Sequence, residues 1–405
     1  MNAYFKSFIN RAAYEAYENT EDLFIAYIED TGDVIYVNDN PATRPFTVTA
    51  LEDNLTIYTL NFTYSLDNGN TWYRDSNQIS VNTGDSVMFK GELDNHPGDG
   101  WGANFCSGNF AVSGNLMSLI YGHGDFYGTY LPSSMGGAEM ASYFDRMFNN
   151  CQTIIDASGL IFPDNTVSYC YEYMFHNAQH LRHAPKRLPA PFGNRCYNLM
   201  FCDCYDLLDT PVIECEPNAV IRNNSDYACY GMFTNCSSLV NLNIKSLPSV
   251  EFNDEQYREM FKNCTSLMTA ENLDMGTIYG GWASHYEMFR GCTSLTTTCK
   301  LNGYGGNQSA HYMFADCSSL TDASRIHIEK RGQFDNNPYD GMFSGCSSLE
   351  AVEIYGPEWP DISGEFLNGA GSNGTFTVPA VTNYNPEDYI GNGIPSDWTI
   401  VRASN

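Results

Sequence analysis

The sequence predicts a mixed α+β chain: an N-terminal helix–hairpin segment, a small antiparallel β-sandwich, a repeat solenoid and a C-terminal β cap. Three observations predict this order: an amphipathic opening, a stretch of alternating apolar and polar residues, and a Met-Phe pair that recurs eight times. With 405 residues the chain is long enough for several domains. The predicted limits are residues 1–44, 45–125, 126–365 and 366–405.

The opening segment combines a helix-like pattern with a hairpin-like one. Residues 1–22 have apolar side chains at helical spacing, among them Phe5, Phe8 and Ile9, and predict a short amphipathic helix. Residues 23–38, "LFIAYIEDTGDVIYVN", place two apolar runs around a polar turn and predict a hairpin.

Short apolar runs follow between residues 46 and 91. "FTVTAL", "LTIYTL", "FTYSL" and "DSVMFKGE" are separated by turn residues every 8–12 positions. That pattern is typical of a small β-sandwich.

The Met-Phe pair is the strongest signal in the chain. Its copies are separated by 27, 26, 32, 28, 28, 25 and 29 residues. A fixed period of this size predicts a solenoid in which each repeat contacts its neighbours.

Each repeat has the same internal order. A Tyr precedes the Met by one to four residues, and a turn residue, a Cys, a polar pair and Leu or Ile follow. We expect one helical turn, one bend and one strand per repeat, with the strands stacked into a parallel sheet. The predicted structural ladder comprises Met147, Phe148, Cys151, Met174, Phe175, Ala178, Met200, Phe201, Cys204, Met232, Phe233, Cys236, Leu239, Met260, Phe261, Cys264, Leu267, Met288, Phe289, Cys292, Leu295, Met313, Phe314, Cys317, Leu320, Met342, Phe343, Cys346 and Leu349.

The repeated cysteines are predicted to be packing elements. Stacked equivalents point the same way, which does not suit disulfides, and they lack the clustered spacing of zinc ligands. Free Cys packs as a small hydrophobe, and Ala178 stands in its place in one repeat. The histidines of "HNAQHLRH", His176, His180 and His183, are the best metal candidates, but their register predicts solvated loop residues.

Composition limits the function. The formal net charge of −28, from 48 acids and 20 bases, opposes direct binding of nucleic acid. No apolar run reaches the length of a membrane helix, and the opening lacks the apolar core of a secretory signal, so we expect synthesis in the cytoplasm without membrane insertion. No phosphate-binding, nucleophile or zinc-protease motif is present, so we predict no catalytic residue, cofactor or metal.

The repeats carry a family resemblance. "YCYEYMFHNAQHLRHAPKRLPAPFGNRCYNLMFCDCYDLLDTP" resembles BspA-type leucine-rich repeats, and "GTFTVPA" with "GIPSDWTIV" is similar to the cap that closes such arrays. This resemblance spans roughly residues 106–405. "YSLDNGNTWY" and "GDSVMFKGE" are similar to β-modules that precede these arrays in gut-bacterial and phage proteins. Residues 4–38 resemble the attachment segment of virion appendage proteins of tailed phages, although a capping helix and hairpin on the β-domain explains them equally well.

The resemblance implies a virion fibre or decoration subunit on the particle surface. Residues 1–44 would bind other virion proteins, the solenoid would bind a host-surface glycan or protein, and copies would assemble as a homo-oligomer. Exposed strand positions such as Asn241, Asn243, Glu350 and Glu353, and the Tyr residues of the turns, are plausible ligand-facing groups. The alternative is a BspA-like adhesin on the bacterial surface, which would normally carry an export signal or lipid-modified Cys near its start; the first Cys here is Cys106. A glycan-active enzyme is disfavoured because no acid/base pair is evident.

Overall fold

The fold is taken from a computed structural model of the chain. It describes residues 4–8, 24–28, 33–37, 44–60, 62–74, 76–91, 102–122, 131, 142–190, 192–213, 220–222, 225–251, 253–278, 281–303, 308–328, 338–355, 364–380 and 382–403. The chain divides into two compact units. Unit 1 comprises Met1–Ala190 with Cys204–Val212, and unit 2 comprises Pro191–Asp203 with Ile213–Asn405.

The first described element of unit 1 is a three-stranded sheet. β1 (Tyr4–Phe8) pairs in parallel with β2 (Phe24–Ile28), and β2 pairs antiparallel with β3 (Asp33–Val37). The predicted hairpin strands are therefore paired as expected. The predicted helix over residues 1–22 is wrong at Tyr4–Phe8, where aromatic strand formers gain backbone partners in β2. The rest of that prediction, residues 1–3 and 9–22, lies outside the described residues.

The front β-domain contains two sheets. Its strands are β4 (Phe46–Ala50), β5 (Leu55–Tyr58), β6 (Thr63–Ser65), β7 (Gln78–Val81), β8 (Ser86–Lys90), β9 (Phe110–Asn115) and β10 (Ile154–Ile161). A five-stranded sheet has the order β10-β9-β4-β8-β6, and β5 pairs with β7 in a separate sheet. The five-stranded sheet is mixed, not antiparallel throughout, because β10 pairs in parallel with β9.

The α part of the predicted mixed α+β class is wrong. Among the described residues no helix reaches seven residues, and only 4% of the structure is helical. The helical pieces are the 3₁₀ turns Gly102–Asn104, Leu116–Leu119 and Pro386–Tyr389. The chain is a mostly-β protein containing a β-solenoid.

Unit 2 contains a parallel sheet of eight strands, which confirms the predicted stacking. Its last two strands continue the sheet into the predicted C-terminal cap, where Trp398 Nε1 donates a 2.7 Å hydrogen bond to Gly371 O. Apart from this sheet, two short strands near the limits of unit 1, β11 (Arg187–Leu188) and β12 (Val212–Ile213), pair with each other. The sheet strands are β13 (Val220–Arg222), β14 (Ser249–Glu251), β15 (Asp274–Ile278), β16 (Lys300–Gly303), β17 (Asp322–Ile328), β18 (Ala351–Tyr355), β19 (Thr375–Val378) and β20 (Thr399–Arg402).

The segment around each Met forms a ladder of turns instead of the predicted helical turn. We call each repeat a coil and name it by its Met. The turn segment of a coil is the stretch from six residues before this Met to four residues after it. In the Met260 coil, Met260 N donates to Tyr257 O within the coil, at 3.2 Å, while Phe261 N donates to Met288 O of the next coil, at 2.8 Å. Residues with positive φ recur every four positions, as at Glu259 (φ 57°), and interrupt any helix. Alternate N–H groups therefore bond between coils, so the turn segments form a second hydrogen-bonded stack.

Among the described residues, no helix is long and apolar enough to span a membrane.

Candidate functional site

Every member of the predicted ladder is fully buried. Within unit 2 the Phe rings of successive coils, from Phe201 to Phe343, stack with centroids 5.2 to 5.7 Å apart. These positions fill the inside of the coils and leave recognition to other side chains.

The ladder cysteines donate hydrogen bonds that the sequence did not suggest. The Cys264 thiol donates to the Phe233 carbonyl of the preceding coil at 3.2 Å, and the Cys346 thiol donates to Phe314 O at 3.0 Å. Burial raises the pKa of Cys346 to about 12. The thirteen cysteines in the described part of the chain are all buried and free of disulfides. Buried, protonated thiols of this kind are poor nucleophiles and poor metal ligands.

The three histidines of "HNAQHLRH" have different partners within unit 1. His180 Nδ1 lies 2.9 Å from an Asp206 oxygen, and His183 Nδ1 lies 3.3 Å from an Asp209 oxygen. His176 Nδ1 lies 3.1 Å from Asn149 Oδ1. Each imidazole thus links neighbouring coils at a separate place.

A column of flat side chains crosses four coils of unit 2, two residues before each Met. Arg258 lies between two rings, with its Cζ 5.7 Å from the Tyr230 centroid and 4.6 Å from the Tyr286 centroid. Tyr286 in turn stacks on His311, with centroids 6.1 Å apart and planes 30° apart. We call Tyr230, Arg258, Tyr286 and His311 the ring column. A guanidinium over an aromatic face is a favourable and well-ordered arrangement.

Alternating cations and carboxylates connect the same coils. Lys262 Nζ lies 3.3 Å from a Glu259 oxygen and 2.5 Å from a Glu287 oxygen of the next coil. Arg290 continues the series, 2.6 Å from Glu287 and 3.1 Å from Asp316. We call this series the ion-pair row, with members Arg258, Glu259, Lys262, Glu287, Arg290 and Asp316.

The acids near the row differ in their electrostatics. Burial alone would raise the pKa of Glu287, but hydrogen bonds from Lys262 and Arg290 outweigh it and hold that pKa below the usual value. Burial raises the pKa of Glu255, although Arg258 lies 3.2 Å away and opposes the shift. Glu287 is therefore held as a carboxylate with two cationic partners.

Trp282 is the exposed aromatic residue of this surface. It belongs to the same coil as Tyr286, and 43% of its area is exposed. Its backbone N–H donates to Asp254 Oδ1 at 2.7 Å, and Asp254 N–H donates to Asp226 Oδ1 at 2.9 Å. Within the described part of the chain, no second ring and no cation packs on its indole. We call the ring column, the ion-pair row and Trp282 together the turn-face site.

The turn-face site lies at variable positions of the repeat. The sequence suggested turn-borne Tyr residues as ligand-facing groups, but not which of them align. The suggested strand positions Asn241, Asn243 and Glu350 are exposed, whereas Glu353 is half-buried. The missed signal is the residue two positions before the Met, which reads Tyr, Arg, Tyr, His over four successive coils.

Comparison with known proteins adds little to this geometry. No family model matches the chain, and no curated protein matches it. A leucine-rich repeat protein from Bacteroides ovatus ATCC 8483, known from its crystal structure, is similar with 13% identity, over 74% of this chain and 96% of that one. The TM-score is 0.17, so the match carries no argument about fold or function. The repeat solenoid rests on the strand pairing of this chain itself.

Proposed function

We propose that the protein is a non-catalytic binding protein that recognises a cell-surface ligand through the turn-face site. The observation that carries the proposal is Trp282, an exposed indole four residues before Tyr286, in a coil whose other side chains are ordered by ion pairs and stacking. Trp, Tyr and Arg dominate binding energy in recognition surfaces, and pre-ordered side chains lose less entropy on binding.

The electrostatics of the row support binding over catalysis. A general acid at neutral pH needs a carboxyl with a raised pKa that can reach its substrate. Glu287 has the opposite shift and bonds to two cations. Glu255, whose pKa is raised, is buried with Arg258 beside it.

The finer proposal is that this is a BspA-like leucine-rich-repeat protein serving as a fibre or decoration subunit on the virion of a tailed phage. Residues 1–44 would bind other virion proteins, and several copies on one particle would strengthen weak single contacts. The strongly acidic composition suits a partner other than nucleic acid, and we expect no cofactor. A BspA-like adhesin on the bacterial surface is the second candidate.

Cell binding tests the main proposal. Labelled protein is measured on a panel of gut-bacterial strains by flow cytometry, together with Tyr286→Ala and Tyr355→Ala. Tyr355 ends β18 of the sheet and is exposed, so its variant is a matched control. We expect Tyr286→Ala to lower binding about tenfold and Tyr355→Ala to leave it unchanged. No binding to any strain, or equal binding by all three proteins, would contradict the proposal.

Whether the protein belongs to a virion or to the bacterial surface is tested separately. Mass spectrometry of purified phage particles from the source culture should detect the chain if it is a virion protein. Detection in the bacterial envelope, with none in particles, would favour the adhesin.

A further inference from the structure

We infer that the ligand of the turn-face site is an uncharged, hydroxyl-rich glycan chain with one sugar stacked on Trp282; this inference rests on the proposed function. The indole offers a flat apolar surface, and the apolar face of a sugar ring is its natural complement. The rings of the column already have stacking partners: Tyr286 lies between Arg258 and His311, and Tyr230 lies against Arg258. Trp282 is therefore the position at which a ligand ring can stack.

The charge of the site favours a neutral ligand. In the ion-pair row, three cations (Arg258, Lys262 and Arg290) face three carboxylates, and each cation has at least one carboxylate partner. No net positive charge remains to attract an anionic polymer, and the chain as a whole carries a formal charge of −28.

The row also suits hydroxyl groups. Its three cations and Glu259 are half-buried, Glu287 is buried and Asp316 is exposed. The ion pairs hold these groups in place, so the half-buried and exposed ones can share hydrogen bonds with a ligand hydroxyl without being reordered. Hydrogen bonds to charged groups are stronger than those between neutral groups. A polyhydroxyl ligand therefore gains affinity without requiring a charge of its own.

A chain of sugars fits better than a single sugar or a protein partner. Strand neighbours in a parallel sheet are about 4.8 Å apart, so the four coils of the ring column span roughly 14 Å along the solenoid. A stable protein interface needs an apolar core. In the described turn segments of unit 2, Trp282 is the one large apolar side chain that is exposed, and Val240 and Met268 lie outside those segments.

The test uses defined polysaccharides and the full chain. Binding is measured by affinity gel electrophoresis to neutral polymers (β-glucan, mannan, xylan and pullulan) and to anionic ones (polygalacturonate and dextran sulfate). We expect at least one neutral polymer to bind, with little change between about 0.05 and about 0.5 M NaCl because no ionic attraction is involved. Trp282→Ala should weaken that binding about tenfold, Trp282→Phe less, and Tyr355→Ala not at all.

Two results of the polymer experiment overturn the inference. One is binding to none of the neutral polymers. The other is binding to the anionic polymers alone, with a steep loss in salt. Cell binding is also measured after the cells are treated with periodate, which destroys glycans, or with protease. Binding that is lost in Tyr286→Ala, survives periodate and is abolished by protease would refute the glycan as ligand. The proposed function would still stand in that case. Absence of any cell binding would instead count against the proposed function.

Discussion

The thiol of Cys264 donates a 3.2 Å hydrogen bond to the carbonyl oxygen of Phe233 in the preceding coil. That oxygen also accepts the N–H of Cys236 in its own coil, at 3.1 Å. The repeated Cys thus joins neighbouring coils through a polar contact inside an apolar core. The role of this Cys is structural, because its side chain has a small volume and its thiol donates a hydrogen bond.

Replacing this thiol tests the contact. Cys264→Ala should lower the free energy of unfolding by about 1–2 kcal/mol, since it removes a buried sulfur and a weak hydrogen bond while Phe233 keeps its other donor. Cys299→Ala is the control: Cys299 is equally buried, but among the described residues its thiol donates to no Phe carbonyl. Urea denaturation should show the larger loss for Cys264→Ala, and equal losses would contradict a contribution from the hydrogen bond.

Thiol labelling tests how well the core excludes solvent. Burial raises the pKa of Cys346 to about 12 and that of Cys264 further. Because the thiolate is the reactive form, alkylation of the thirteen described cysteines should be slow in the native protein and fast in denaturant. Peptide mapping after a short iodoacetamide pulse measures this, and rapid native labelling of either residue would show that the coils open.

Gly341 leaves room for the ring of Tyr312 in the preceding coil. It has φ +60°, and a Cβ there would lie 2.2 Å from Tyr312 Cε1. Gly391 is a matched control, with φ +79° and nothing within 4 Å of the added carbon. Both Ala variants should cost about 1–2 kcal/mol in backbone strain. Gly341→Ala should lose roughly 1–3 kcal/mol more from the clash, and equal melting temperatures for the two variants would contradict the close contact.

His285 should make the protein sensitive to acid. It is fully buried, and burial lowers its pKa from 6.5 to about 3. Below pH 6.5 the unfolded chain therefore binds a proton that the folded chain rejects, so the stability present above pH 6.5 is progressively lost between pH 6.5 and about pH 3.

The matched variant is His285→Tyr, because Tyr stands three residues before the Met in other coils, as at Tyr257. Each pH unit in this window corresponds to about 1.4 kcal/mol for one group. Between pH 7 and pH 5 the wild-type protein should lose about 2 kcal/mol more than His285→Tyr in denaturant titrations. If the free energies of unfolding of the two proteins change with pH in parallel, the imidazole accepts its proton in the folded state and the prediction is contradicted.

The sequence was most informative where the repeat is strict. Met260, Phe261, Cys264 and Leu267 recur with fixed spacing, so their burial and the parallel sheet could be predicted from periodicity. The helical turn was predicted wrongly because the spacing of Tyr-x-x-Met-Phe fits one turn of a helix as well as it fits the ladder of turns found in the structure. Positive φ at non-glycine residues such as Glu259 has no reliable signature in sequence.

The other differences between the prediction and the structure come from contacts between residues that are distant in sequence. Tyr4–Phe8 has a helix-like pattern, and only its pairing with Phe24–Ile28 makes it a strand. The ring column was missed although Tyr230, Arg258 and Tyr286 are each 28 residues apart, because equal spacing does not by itself show that these side chains contact one another. The variable positions were recognised as the place for function, but the alignment of coils was needed to identify the surface.

The most direct measurement is the affinity of Trp282→Ala for cells that bind the wild-type protein, compared with that of Tyr355→Ala. Both side chains are exposed to a similar degree, 43% and 44%, and lie on the turn segment and on the sheet respectively. We expect the dissociation constant to rise about tenfold for Trp282→Ala and to stay within about twofold for Tyr355→Ala. Unchanged affinity in Trp282→Ala, with lost affinity in Tyr355→Ala, would place recognition on the sheet and contradict the turn-face site.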